Sequence, residues 1–335
     1  MAFTSETDLE DFLMEELAEL GHKLMHGSQV APDADGAARA SYHQTILEPV
    51  LLDALRRINP DLPERVLVEA TKRVLDAGPS GDLVQENLRL HRLMIEGIKT
   101  SFMEDGEERH AHVRLIDWND AANDWRAINQ FDVVGHAARR PDIVIFLNGM
   151  PLVVIELKGV EGQDIEAAFN QIETYKTDIP DLFRTTLINV ISDGLVARYG
   201  SLTANFAWHS RWRLLGGKKA DASLLELETL VRGLLEPATL LDFFRGFVAY
   251  GEKDGAQDDV VLGGYHQASP PSTVVALRCT RLTAPTMPVS SRTPTSWKAS
   301  TYSVNMISPI WAGAPPPRAL VMASGDGSWV GSSTA

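Results

Sequence analysis

The 335-residue chain contains a single cysteine, no long apolar run and no excess of basic charge. The lone Cys279 excludes an intrachain disulfide and any zinc site built on cysteines, and its Ser/Thr/Pro-rich surroundings hold no histidine that could make it reactive. No stretch approaches the ~18 uninterrupted apolar residues of a membrane span. The opening MAFTSETDLEDF is acidic where a secretory signal would be basic and then apolar. The expectation is therefore a cytoplasmic protein with no membrane contact. A formal net charge of -14 excludes a general polyanion binder that is basic all over. It leaves nucleic acid open, because only the phosphates actually neutralised contribute to affinity and metal-binding carboxylates add negative charge of their own. A phosphate-binding G-x-x-x-x-G-K-[ST] is also missing, so ATP binding is not expected of these residues.

What is present reads as a mixed α/β core with helices around it. Leu9, Phe12, Leu13, Leu17 and Leu20 recur near a 3.6-residue period between residues 5 and 20, and Gly21 follows as a stop. Further helices are expected over about 42–58 and 63–77. The alternating HAHVRLIDW, from His110, starts a β-rich region that continues through NQFDVV. Residues 164–179 have helical periodicity with Asp164 as N-cap, TTLINVISDGLVARYGSL reads as two strands around Asp193-Gly194, and 222–249 reads as helices broken at Pro237.

The chemistry concentrates in RRPDIVIFLNGMPLVVIELKG, residues 139–159, where two apolar runs flank Asn148-Gly149. Their apolar residues are consecutive, as in strands covered on both faces. A three-residue loop Asn148-Gly149-Met150 sets Asp142 opposite Glu156; a two-residue Asn-Gly turn sets Asp142 against Ile155, and then a bulge is needed to align the acids. In either register both carboxylates reach the same end, with Lys158 on the face of Glu156. Two close carboxylates repel unless a cation separates them, and oxygen ligands at a rigid sheet end suit Mg²⁺. A neighbouring lysine could orient or deprotonate an attacking water, or steady charge on a phosphate, which together is equipment for metal-dependent phosphodiester hydrolysis. A plain terminal salt bridge among Asp142, Glu156 and Lys158 accounts for the same spacing. On the following helix Gln171 and Tyr175 stand at i and i+4 and share a face.

Pro141-Asp142, Glu156-x-Lys158 and Gln171-x-x-x-Tyr175 resemble the PD-(D/E)xK nuclease signature with its Q-x-x-x-Y extension. The longer wording, NQFDVVG, RRPDIVIFLNGMPLVVIELKG, AFNQIETYK and ISDGLVARYGSLTANF, resembles the amino-terminal nuclease domain of the R subunit of type I restriction enzymes over about residues 3–267. The resemblance implies a restriction-endonuclease-like core and an endonuclease acting on double-stranded DNA. It implies Asp142 and Glu156 as Mg²⁺ ligands, Lys158 as the catalytic lysine, and Gln171 and Tyr175 as supports of the site or of DNA. A glutamate on the first helix joins the metal in some members, and Glu10 is one candidate among several acids there. The implied partners are methylation and specificity subunits, and complete members couple cleavage to an ATP-dependent translocase.

The resemblance divides the chain into a nuclease domain over 1–215, a helical linker over 216–267 and a tail over 268–335. The tail holds nine of the 18 prolines, one acid, Asp326, and no periodic segment, so it is expected to be disordered. Its abrupt change of character points to a shift of reading frame soon after Gln267, before the expected motor. Of the remaining features, His110 and His112 alternate without a third ligand in range. Trp118, Trp125, Trp208 and Trp212 are expected to pack in or around the core. Arg139, Arg140, Lys158, Lys176, Arg184, Arg198, Arg211, Arg213, Lys218 and Lys219 offer material for a local basic track, but each is most simply solvated surface charge.

Overall fold

The computed structural model describes residues 5–79, 81–159, 165–253, 256–262 and 303–305. The cap expected at Asp164, the frame shift after Gln267 and nearly all of the tail lie outside them. Ser5 opens helix α1 (Glu6–Glu19), its side chain accepting from Asp8 N at 3.0 Å, and the stripe Leu9, Leu13 and Leu17 is fully buried. Gly21, at φ +92°, ends the helix as its sequence position predicts. Helices α2 (Glu48–Ile58) and α3 (Glu64–Leu75) follow, and α2 starts later than the periodicity implies because Pro49 suits only its first turn. Helix α4 (Leu83–Glu96) was not anticipated from the sequence.

Six strands form the central sheet: β1 (Lys23–His26), β2 (Trp125–Asn129), β3 (Ile143–Leu147), β4 (Met150–Leu157), β5 (Ile188–Ser192) and β6 (Ala197–Gly200), side by side in that order. The pairs β1/β2 and β4/β5 are parallel and the other three antiparallel, so the sheet is mixed. Every residue of β3, β4 and β5 is buried, as continuous apolar runs require of strands covered on both faces. Helix α5 (Ile165–Asp178) packs on β4 and β5, while α1 lies against β1, β2, β4 and helix α6 (Glu226–Leu234). Helix α7 (Pro237–Gly246) begins at the expected proline. Leu227, Leu230, Leu234, Phe243 and Tyr250 belong to the same hydrophobic core as the sheet, and Tyr250 Oη donates to Asn87 of α4 at 2.7 Å. Strands Val248–Lys253, Ala256–Leu262 and Ser303–Asn305 form a separate small sheet.

The central hairpin closes through a two-residue turn with both φ positive, +52° at Asn148 and +80° at Gly149, as its Asn-Gly sequence favours. Asn148 is fully buried and saturated: its Oδ1 accepts from Asp124 N at 2.7 Å, and its Nδ2 donates to Leu115 O at 3.0 Å and Asn123 Oδ1 at 2.9 Å. Gly149 O accepts from Leu47 N at 2.8 Å, seating the start of α2 on the turn. Phe146 then pairs with Pro151 but Ile145 with Val153, so Leu152 is the extra residue of a β-bulge. The second of the two registers open to the sequence is the one adopted.

One tryptophan departs from expectation. Trp125 and Trp212 are buried and Trp118 packs against the core, but Trp208 is 75% exposed, carried on a short 3-10 turn over Phe206–Trp208.

A Cβ at Gly149 would lie 2.6 Å from Leu47 O, in a backbone region that side chains rarely adopt. Gly149→Ala is therefore expected to lower stability by about 1–3 kcal/mol in urea unfolding. An unchanged midpoint would contradict the tight seat of α2 on the turn.

Candidate active site

The bulge decides where the acids go. Beyond it Ile143 pairs with Ile155, and one more step of that register brings Asp142 opposite Glu156. The outer ladder is continued by Gln130 N donating to Asp142 O at 2.8 Å and Lys158 N donating to Ser192 O at 2.8 Å. Both acids and the lysine are thus held on strand backbone at one sheet end. They are also nearly dry, with exposures of 8% for Asp142, 0% for Glu156 and 6% for Lys158.

Asp142 Oδ2 accepts from Leu157 N at 2.7 Å, locking that carboxyl against β4. Lys158 Nζ donates to Glu156 Oε1 at 2.8 Å and to Leu157 O at 2.9 Å, and lies 3.7 Å from Glu6 Oε1. Glu156 Oε2 is buried and makes no hydrogen bond of ordinary geometry, although the Tyr175 hydroxyl comes close enough to act on the Glu156 carboxyl. A buried carboxylate oxygen left in this state is costly.

The ionisation follows from this geometry. Burial pushes Glu156 up to about 8, with Asp142 adding to the rise and Lys158 opposing it. Burial likewise lifts Asp142 to about 6, against the Leu157 N–H and Lys158, with Glu6 and Glu10 contributing to the rise. Burial works to lower Lys158, but the Glu156 carboxylate outweighs it and the ammonium is held above its ordinary range. Two facing acids thus resist ionising together, and one oxygen of Glu156 makes no hydrogen bond of ordinary geometry.

That donor set fits a hard divalent cation, which takes oxygen ligands and can replace the missing hydrogen bond while drawing both carboxyls into their charged form. No group of three or more His, Cys, Asp and Glu side chains gathers for a metal among the described residues. A cation here would take two protein carboxylates and complete its shell with water, which is how Mg²⁺ is ordinarily held.

Gln171 and Tyr175 stand beside this centre on α5, as their spacing predicts. Gln171 Nε2 donates to Tyr175 Oη at 2.6 Å, and the buried Tyr175 hydroxyl donates to Arg140 O at 3.3 Å, two residues before Asp142. Burial first, and Glu156 next, hold the phenol well above its usual range, so it stays protonated and can only donate or accept hydrogen bonds.

Glu10 is near enough to act on Asp142, but its oxygens are taken by Asn129 Nδ2 at 2.7 Å and Gln130 Nε2 at 2.6 Å. These amides and Glu6 were not singled out from the sequence. The i, i+4 spacing of Glu6 and Glu10 on one face of α1 was the available signal. His112 lies apart from the centre, its Nε2 in a hydrogen bond with Glu96 O at 2.5 Å.

The model of the type I restriction enzyme R protein N terminus matches residues 3–208. The type I restriction enzyme HindI endonuclease subunit of Haemophilus influenzae is 34% identical over 271 residues, covering 78% of this chain and 26% of the relative. A putative type I restriction enzyme MjaIXP endonuclease subunit of Methanocaldococcus jannaschii is 30% identical over 269 residues, 73% of this chain and 25% of the relative. The EcoprrI endonuclease subunit of Escherichia coli is 30% identical over 197 residues, 57% of this chain and 60% of the relative. The chain thus spans about a quarter of the length of the HindI and MjaIXP subunits. With a family model covering more than half of its residues, the chain belongs to the family of type I restriction enzyme R protein N termini.

Proposed function

We propose that this chain is the Mg²⁺-dependent endonuclease region of a type I restriction enzyme R subunit, built on a PD-(D/E)xK core and hydrolysing phosphodiester bonds of double-stranded DNA. Its work is done in a complex with methylation and specificity subunits. The observation that carries this reading is the buried Glu156, standing opposite Asp142 across the hairpin with its Oε2 making no hydrogen bond of ordinary geometry and Lys158 fixed beside it.

Asp142 and Glu156 would hold the ion, which when bound supplies positive charge against the phosphate oxygens. Lys158 keeps its proton, being held above its ordinary range, and its Nζ is positioned to steady the charge that develops on the phosphate. The Leu157 N–H aims Asp142, and Tyr175, braced by Gln171, fixes the backbone at Arg140 ahead of it. These contacts orient the acids through main-chain groups that cannot rotate away.

A second reading is favoured by the Lys158 ammonium, which already makes two hydrogen bonds within the site. It makes the triad a structural salt bridge in a non-catalytic remnant that docks on the methylase complex or on DNA. Cleavage decides between the two. Mg²⁺-dependent nicking of plasmid DNA is expected from the wild type, with Asp142→Ala and Lys158→Ala each slower by on the order of 10²–10³-fold at intact folding. Equal nicking by wild type and Asp142→Ala would contradict the nuclease reading, and a folded wild type that never nicks would support the remnant.

The raised acids also make stability depend on pH. Glu156 titrates near 8 instead of 4.5 and Asp142 near 6 instead of 3.8. The folded state therefore binds these protons more tightly than the unfolded chain. Their contribution is complete below about pH 4 and is lost as pH rises towards 8. Mg²⁺ at pH 8 should restore part of it, raising the Tm by roughly 2–5 °C in wild type and not in Glu156→Gln. Calorimetry in which Mg²⁺ shifts both proteins equally would contradict ion binding at this pair.

A further inference from the structure

From Gly194 to Ala220 the chain has five Arg and Lys and no acid, although the whole molecule carries 45 acidic residues against 31 basic ones. The structure gives this run a shape. After β6, Tyr199 pairs antiparallel with Ser210, and the chain enters a tight hairpin in which Leu214 pairs with Lys219 and Leu215 with Lys218 across Gly216-Gly217. Both glycines have positive φ, as a two-residue turn requires.

The hairpin is seated firmly. Trp212 Nε1 donates to Leu214 O at 2.7 Å, and a Cβ at Gly233 of α6 would lie 2.2 Å from that same oxygen. Arg211 pairs with Glu226 at 3.1 Å, whereas Arg213, Lys218 and Lys219 are exposed and have no acidic partner among the described residues. Ser210, Arg211, Arg213, Leu214 and Lys219 line a surface cleft of about 480 Å³.

The register locates this cleft relative to the active site. Leu157 is level with Ser192, Ser192 with Ala197, and the antiparallel run from Ser210 carries Arg211 and Arg213 towards the level of Ala197. Glu226 confirms the approach, because one oxygen accepts from Ala197 N at 3.2 Å while the other meets Arg211. Three strand spacings separate β4 from this segment, roughly 15 Å. That is comparable with the ~12 Å width of a duplex major groove.

We propose that this hairpin, with Arg211, Arg213 and Lys219 lining its cleft and Lys218 exposed next to them, is a phosphate-backbone anchor for double-stranded DNA, gripping it across the groove from the bond held at Asp142 and Glu156. Guanidinium forks suit phosphate oxygens, and a preformed hairpin presents them with no backbone left to order. The anchor also answers how so acidic a chain holds a polyanion: by one local track. The proposal rests on the nuclease reading for its substrate, but it can be tested separately.

Binding of a fluorescent DNA duplex is measured by anisotropy against salt without divalent cation, in the Asp142→Ala background so that nothing is cleaved. Adding Arg213→Gln, Lys218→Gln and Lys219→Gln is expected to weaken binding about ten-fold or more. The slope of log affinity against log salt should flatten by about 3, close to 0.9 per lost contact. A control that removes the exposed Lys72, Arg92 and Lys99 loses the same charge elsewhere and should bind as before. Unfolding curves confirm that both variants are folded. Unchanged binding in the hairpin variant, equal losses in the control, or no duplex binding at all would overturn the anchor. If wild-type sequence fails to nick DNA while the hairpin variant still loses binding, the nuclease reading falls and the anchor stands.

Discussion

Two carboxyl groups facing each other in a nearly dry sheet end are the constraint around which the rest is arranged. Neither can ionise freely, because burial penalises both charges and Asp142 adds to the penalty on Glu156. Strand backbone nevertheless prevents them from moving apart. Asp142 is fixed by the Leu157 N–H and Lys158 N by Ser192 O, while the Asn-Gly turn at the other end is fastened by Asn148 to Asp124, Leu115 and Asn123. A site under such tension is usually functional, since a merely structural sheet end would be better served by apolar side chains.

Much of this arrangement is legible in the sequence. The runs Ile143–Leu147 and Leu152–Ile155 have no polar interruption, which only a strand covered on both faces tolerates. The Asn-Gly pair marks the turn, and the spacing of Glu156, Lys158, Gln171 and Tyr175 follows from the two simple periods of strand and helix. The register was not legible. Whether Asp142 meets Glu156 depends on one extra residue, Leu152, next to a proline that has no N–H to give to the ladder. The bulge is then held from outside β3, with Thr185 Oγ1 donating to Pro151 O at 2.7 Å and Leu187 N to Leu152 O at 3.0 Å. Those contacts come from more than 30 residues away along the chain, and no local pattern carries them.

The parts that sequence reasoning missed share that dependence on distant contacts. Lys23–His26 is a four-residue strand without alternation, recognisable only through its parallel pairing with Trp125–Asn129. Asn129 and Gln130 matter because they occupy both oxygens of Glu10, about 120 residues earlier in the chain. The basic hairpin reads in sequence as scattered surface charge. It becomes a single feature only when Tyr199 and Ser210 pair and bring it level with the acids.

The central claim is that Asp142 and Glu156 form a pair waiting for a divalent cation. Carbon-13 NMR of the glutamate side-chain carboxyls, with Glu156→Gln for assignment, tests it most directly. A Glu156 carboxyl that titrates near pH 8 without Mg²⁺, and is ionised at pH 6 once Mg²⁺ is added, is the predicted result. A Glu156 carboxyl whose titration is the same with and without Mg²⁺ would contradict the account, leaving the pair a structural feature of the sheet.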